Sequence, residues 1–321
     1  LDKEAFNRAT SIYLVDRVVP MLPEILSNNV CSLRPQEEKY TFSAIFNINK
    51  KGEILKEWFG KSVIKSDRRF SYAEAQEIIE TKKGNIKKEI ALKNKEYKVS
   101  EKTVNAILVL NEIATTLREE RKKQGSINFN KKEIKFKLDS KKNPIEVIFK
   151  ENKEANKLIE EFMLLANKKV AELFKKLKKE PSVYRIHDVP DKEKLKALKT
   201  IVKEFGYNLD ITSREGTSRT LNKLLNEAKG TREQNLIETL AIRSMSKAEY
   251  STQDIGHYGL GFKHYTHFTS PIRRYPDILV HRLLNECLNK TKDQKQKGLS
   301  DRSKHCSERE TAAVKAEKIG R

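Results

Sequence analysis

The stretch His264-Tyr-Thr-His-Phe-Thr-Ser-Pro-Ile-Arg-Arg-Tyr-Pro-Asp-Ile-Leu-Val-His-Arg282 decides how this chain is read. Two prolines bracket a pair of arginines, and each fixes its own φ and pushes the residue before it toward extended backbone. A segment stiffened this way is a costly solvated surface. It is a useful frame for holding guanidinium groups at fixed positions toward an anion. Ser270 before Pro271 has the form of an N-cap with proline at the first helical position. Pro276 makes one continuous helix from Pro271 awkward, so the spacing predicts a bent turn before a helix opening near Pro276. A helix start attracts anions, and arginine adds planar, bidentate phosphate recognition that lysine cannot copy.

Outward from this stretch, the second half reads as helices at about 153–179, 191–206, 216–229, 232–247, 276–289 and 302–318, set by apolar residues at helical spacing. The first half carries strands. Tyr40–Ile48 alternates, with Tyr40, Phe42 and Ala44 on one face and Thr41, Ser43 and Ile45 on the other, and the Asn49–Gly52 turn returns it as Glu53–Ile64. Ser71 caps a short helix, Glu101–Glu120 forms a longer one, and Ile127–Leu138 and Ile145–Phe149 read as strands again. The predicted class is α+β, a mixed β-sheet first half with a helical second half. Gln294–Ser300 is the most linker-like piece.

The chain has 321 residues, 37% of them hydrophobic, and a formal net charge of +21, so nucleic acid is the first partner class to consider. No apolar run approaches the roughly 20 residues of a membrane span, and the first residues form no signal peptide. Cys31, Cys287 and Cys306 are far apart and read as reduced thiols rather than a disulfide or zinc framework. His264-x-x-His267 lacks a third ligand at a familiar spacing, so His257, His264, His267 and His281 are expected to be hydrogen-bonded structural residues, and no metal ligand is assigned. Single lysine runs such as Leu173–Glu180 are ordinary solvated surface. The excess of 66 basic over 45 acidic residues is what needs a polyanion.

The opening stretch resembles the signature of the ribonuclease II / ribonuclease R family, exoribonucleases that degrade single-stranded RNA from its 3′ end. Other islands resemble the family in order: Ser11–Pro23, Leu26–Pro35, Ile159–Asn167, Tyr184–Asp188 and Cys306–Glu310. The ribonuclease R branch looks closer. The resemblance implies a catalytic Arg273 stabilising charge on the scissile phosphate. Arg274, Tyr275 and Arg282 would support it or touch neighbouring phosphates. Tyr13 would stack near the 3′-terminal base and Phe129, in Gly125–Asn130, at the other end of a short base ladder, a sequence-tolerant mode of binding. Tyr72 and Glu161 resemble positions that sense the ribose, and a carboxylate accepting from the 2′-OH separates RNA from DNA. Helical position favours Glu161 over Glu160, because Leu158, Phe162 and Leu165 lie close around it. Glu317 is similar to another acidic position near the family's active centre.

The family's hydrolysis implies Mg²⁺ held by an Asp, then Asp-x-Asp-Asp. That cluster is absent here: the aspartates are scattered and no two are adjacent. The expected organisation is therefore residues 1–290 as an RNB-like catalytic domain lacking its N-terminal part. Residues 291–321 are then a basic segment and helix leading toward an OB-fold RNA-binding domain outside this chain. Three readings follow: a portion of a cytoplasmic, monomeric 3′→5′ exoribonuclease; a catalytically silent relative that keeps the RNA clamp; or a general basic scaffold.

Overall fold

The computed structural model describes residues 1–129, 133–140, 143–178, 181–291 and 298–319. The chain opens with α1 (Asp2–Arg8), which carries Asp2 and Glu4 in its first turn and Arg8 in its last, the charge order a helix dipole favours. Ala9 then enters the left-handed region at φ 58° and turns the chain into a short antiparallel pair, β1 (Ile12–Tyr13) and β2 (Val18–Val19). A π-helical stretch, Ile25–Val30, leads to the hairpin of β3 (Glu38–Ile48) and β4 (Ile54–Lys65). Asn49 builds its turn by accepting the Lys51 and Glu53 N–H groups on its side-chain oxygen, at 2.9 and 3.0 Å. The predicted alternation is present: Phe42, Ala44 and Phe46 pack on the core, while Thr41 and Ser43 hydrogen-bond Ser62 across the strands.

The Ser71 cap is a full capping box. Its hydroxyl accepts from Glu74 N–H, the Glu74 carboxylate accepts from Ser71 N–H, and α2 (Tyr72–Thr81) follows. β5 (Asn85–Ile86) pairs with β6 (Tyr97–Lys98), and both close a small core with α2 and α3 (Glu101–Lys123). β7 (Glu133–Leu138) and β8 (Pro144–Lys150) form a further hairpin. The expected strand from Ile127 is corrected here: Ile127 buries its side chain in a helical core and donates its N–H to Gly259 O, so the described strand begins at Glu133. Residues 130–132 of that expectation lie outside the described residues.

Then come α4 (Glu154–Lys176), β9 (Tyr184–Ile186), α5 (Lys192–Glu204), α6 (Arg214–Glu227), α7 (Gln234–Ser244), β10 (Glu249–Ser251), α8 (Tyr275–Asn289) and α9 (Leu299–Ile319). β10 pairs with β9, and among the described residues every sheet is a two-stranded antiparallel one, so the fold is α+β. The main core joins the two ends of the chain. Ala5 and Met21 pack with Val170 and Phe174 of α4, Leu279 and Leu283 of α8, and Leu299 and Cys306 of α9. A second core lies among α5, α6 and α7 and takes in Ile127 and Tyr258. The linker-like piece is corrected in part: residues 292–297 lie outside the described residues, but Leu299 and Ser300 already belong to α9. No described helix is long and apolar enough to cross a membrane.

Candidate functional site

The Ser270–Asp277 segment is a bent turn followed by a helix, as the proline spacing predicts. Ser270 differs from its expected role as N-cap. Its carbonyl accepts from Arg273 and Arg274 N–H at 3.3 and 3.1 Å, and α8 starts only at Tyr275, with Arg274 at the N-cap position and Pro276 in the first turn. What holds the turn is Asp277, wholly buried. One of its carboxylate oxygens accepts both Ser270 N–H at 2.7 Å and the Arg274 guanidinium at 2.8 Å. From the other side, Asn167 of α4 accepts Phe268 and Thr269 N–H at 2.8 and 3.2 Å. The turn is fixed at both ends before any ligand arrives.

The chain's first residues are laced onto this turn. Ser11 N–H donates to Arg273 O at 3.0 Å, and Tyr275 N–H donates to Ala9 O at 2.9 Å. The Ser11 hydroxyl accepts Met21 N–H at 2.9 Å, tying the far arm of the β1–β2 loop back. On the opposite side, Tyr13 N–H donates to the Glu317 carboxylate of α9 at 2.9 Å. This lacing puts Tyr13, with 45% of its surface exposed, and the exposed Arg273 on one groove of about 1300 Å³. Leu22, Val30, Ile272 and His281 also line it. Arg273 makes no ion pair among the described residues, so its guanidinium is available to an anion in the groove.

The other expected site residues are placed differently. Arg274 lies inward with Asp277; burial opposes its charge, and the carboxylate outweighs that effect and raises its pKa. Tyr275 is fully buried, and its hydroxyl donates to Asp2 at 3.0 Å. Arg282 reaches the same Asp2 carboxylate at 2.6 Å and holds it below the usual carboxylate range. These three side chains therefore brace the turn; the phosphate contacts considered for Arg274 and Tyr275 are not open to side chains so buried. Glu161 is 3% exposed and forms a two-point ion pair with Arg121 of α3, while Glu160 faces solvent, the distinction drawn from helical position. Tyr72 stands half exposed at the first position of α2. Phe129 packs part of its ring on the second core. Of the eight, only Tyr13 and Arg273 line the same groove.

The histidines are hydrogen-bonded. His281 donates to Phe268 O at 2.7 Å, His267 meets the Tyr250 hydroxyl at 2.9 Å, His264 pairs with Asp254 at 2.6 Å, and His257 accepts Leu260 N–H at 3.3 Å. Burial pushes the His257 pKa down to about 3 and also lowers those of His267 and His281, so these three imidazoles are neutral at pH 7. Among the described residues no three His, Cys, Asp or Glu side chains converge as metal ligands. A divalent metal therefore finds no fitting donor set here.

Sequence reasoning missed Asp277, Asn167 and Ser11. Asp277 carried a readable signal: a carboxylate seven residues after Ser270 and three after Arg274, on the first turn of an apolar helix, must be paired or pay for burial.

The chain resembles known proteins along almost its whole length. It is 39% identical over 323 residues to ribonuclease R 2 of Lactococcus lactis, covering 99% of this chain and 47% of that protein. It is 35% identical to the inactive exonuclease DIS3L2 of Arabidopsis thaliana over 90% of this chain and 28% of that one. Among solved structures, RNase R of Mycoplasma genitalium in complex with ribose-methylated single-stranded RNA superposes with a TM-score of 0.89 at 30% identity, covering 99% of this chain and 49% of that one. The chain thus spans less than half the length of each. The RNB domain model matches residues 1–290, and the chain belongs to the RNB domain family.

Proposed function

We propose that this chain is the RNA-gripping portion of a 3′→5′ exoribonuclease that hydrolyses single-stranded RNA processively to 5′-nucleoside monophosphates. The observation that carries the reading is the backbone lacing of Ser11 to Arg273, which sets an aromatic ring and an unpaired guanidinium on one groove wall. A ring stacks on any base, and a guanidinium recognises any phosphate, so the pair suits an enzyme indifferent to sequence. Arg273 is the catalytic residue in this reading, placed to stabilise charge that grows on the scissile phosphate. Arg274, Tyr275 and Arg282 keep it there through Asp277 and Asp2.

Tyr72 and Glu161 serve as ribose-sensing residues and Phe129 as the far end of the base ladder. For Glu161, buried and paired with Arg121, this role rests on the family resemblance alone. Mg²⁺ belongs to this proposal through the family alone, and no step runs through it because the described residues hold no fitting donor set. The cytoplasm and a monomeric state complete the proposal, with residues 1–290 as the catalytic portion and α9 packed against it.

A second reading, an RNA clamp without catalysis, is favoured by one observation: no two aspartates of the chain are adjacent. One experiment tests both. The 321-residue chain is incubated with 5′-labelled single-stranded RNA, with and without Mg²⁺, and binding and the product ladder are scored together. Binding without shortening is what both readings expect of this chain. Mg²⁺-dependent shortening from the 3′ end means carboxylates of this chain hold the metal, and absence of binding in the folded chain refutes both readings.

A further inference from the structure

The β3–β4 hairpin packs Phe42, Ala44, Phe46 and Phe59 on the core and turns its other face outward. Register sets that outward face: Asn47 lies opposite Lys56, Ile45 opposite Trp58, Ser43 opposite Gly60, and Thr41 opposite Ser62. Trp58 and Ile45 keep 45% and 55% of their surface exposed. A Cβ on Gly60 would stand 2.6 and 2.7 Å from Cζ2 and Cη2 of Trp58, so the glycine is what lets the indole lie against the strand. The ring is thus supported by the sheet on one side and open on the other.

The groups on either side of the ring differ in kind. Toward the hairpin turn stand Lys56, Lys50 and Lys51, exposed and without an ion pair among the described residues. The carboxylate of that turn, Glu53, accepts from the Asn49 amide at 2.6 Å. Away from the turn, the hydroxyls of Thr41, Ser43 and Ser62 close a triangle with sides of 3.0, 2.8 and 2.6 Å. A closed triangle spends each O–H on a neighbour and leaves acceptor lone pairs. It therefore suits a donor, such as a ribose hydroxyl or a base amino group, and not a phosphate. Residues two apart on one strand face lie about 7 Å apart, so cation, ring and hydroxyls follow one another at the scale of phosphate, base and ribose.

The face is continuous with the groove already described, because Thr41 and Ser62 line both. An exposed aromatic ring on a β-sheet, flanked by cations, is a stacking surface for unpaired bases. We propose that the outward face of the β3–β4 hairpin is a further contact for single-stranded RNA: one base stacks on Trp58, its phosphate meets Lys56, and its sugar or base edge donates to the hydroxyl triangle. The proposal rests on the reading of this chain as a binder of single-stranded RNA and adds a site outside the Tyr13 and Arg273 pair.

Trp58 is the only tryptophan of the chain, so its emission reports this face alone. An oligouridylate of about 12 nucleotides, a length usual for single-strand sites, is titrated into the chain, and binding is followed in parallel by anisotropy of the labelled oligomer. Trp58 emission is expected to be quenched along the same curve, and more deeply when the oligomer carries 5-bromouridine, whose heavy atom quenches on contact. Trp58→Ala is expected to lose about fivefold or more in affinity, the share of one stacked base, and Trp58→Phe to recover most of it. Emission that stays unchanged while anisotropy saturates overturns the proposal. So does a Trp58→Ala chain that binds as the unaltered one does. A shift in emission on concentrating the chain without RNA, with none on adding RNA, also overturns it, because a second copy then covers the face. If Trp58→Ala does not fold, Trp58 emission in the unaltered chain still decides. Arg273→Ala keeps the two sites apart: weakened binding with silent emission leaves the groove standing and ends this proposal, whereas unchanged affinity with quenched emission does the reverse.

Discussion

Replacing Asp277 by alanine removes the group on which the whole turn depends. Its carboxylate is wholly buried and accepts Ser270 N–H at 2.7 Å and the Arg274 guanidinium at 2.8 Å. Without it the Arg274 cation, whose side chain is 13% exposed, stays in the interior with no counter-charge. Stranding one member of a buried ion pair costs about 3–5 kcal/mol, part of which is the unsatisfied backbone donor. At roughly 2 °C per kcal/mol for a chain of this size, the melting temperature falls by about 6–10 °C. Asp277→Asn keeps an oxygen for Ser270 N–H and loses only the charge, so it falls by less. Arg274→Met/Asp277→Leu, which removes both charges and retains apolar bulk, recovers much of the loss. Melts followed by circular dichroism, with the three variants side by side, give the answer. If Asp277→Ala melts within about 2 °C of the unaltered chain, or the double variant is no better than the single one, the pair does not brace the turn and the reasoning fails.

Arg273→Ala is expected to leave the melting temperature unchanged, because the side chain is exposed and unpaired, yet to weaken RNA binding and reduce its salt slope by about 0.7, the share of one phosphate. Ser11→Ala strands the Met21 N–H in the core and costs about 1–3 kcal/mol, measured as a shifted urea midpoint, while the backbone bonds of Ser11 to Arg273 and of Tyr13 to Glu317 remain. Burial depresses the folded-state pKa values of His257, His267 and His281 below the unfolded value near 6.5. Their contribution is therefore fully present above that value and is lost as pH falls below it, so the melting temperature should drop between pH 7 and pH 5, and drop less in His267→Gln. A flat profile over that range contradicts the assignment of neutral buried imidazoles.

Periodic and turn chemistry made much of this fold legible. The β3–β4 alternation, the Ser71 cap and the α8 start near Pro276 follow from local rules that act within a few residues. The segment at Ile127 misled because a short apolar run looks the same whether it pairs as a strand or fills a gap between helices. Ile127 does the latter, among α5, α6 and α7. At the groove, Arg273 stood out by its proline-stiffened segment and Tyr13 through the family resemblance, but their meeting depends on the backbone bond between Ser11 and Arg273, and no pattern in the sequence announces a bond between positions so far apart. Tyr275's inward fate was hidden for the same reason, because its partner Asp2 lies at the far end of the chain. Arg274 instead turns inward onto Asp277 only three residues on, a local pairing that the sequence could have shown.

The most direct test of the central claim locates the 3′ end on the protein. Single-stranded RNA carrying a photoreactive uridine at its 3′ terminus is bound to the chain and irradiated, and the attached peptides are identified by mass spectrometry. Attachment to Tyr13 or to the peptide spanning Ser270–Arg273, abolished when unlabelled RNA is added in excess, is the predicted result. Attachment confined to residues outside that groove would contradict the account.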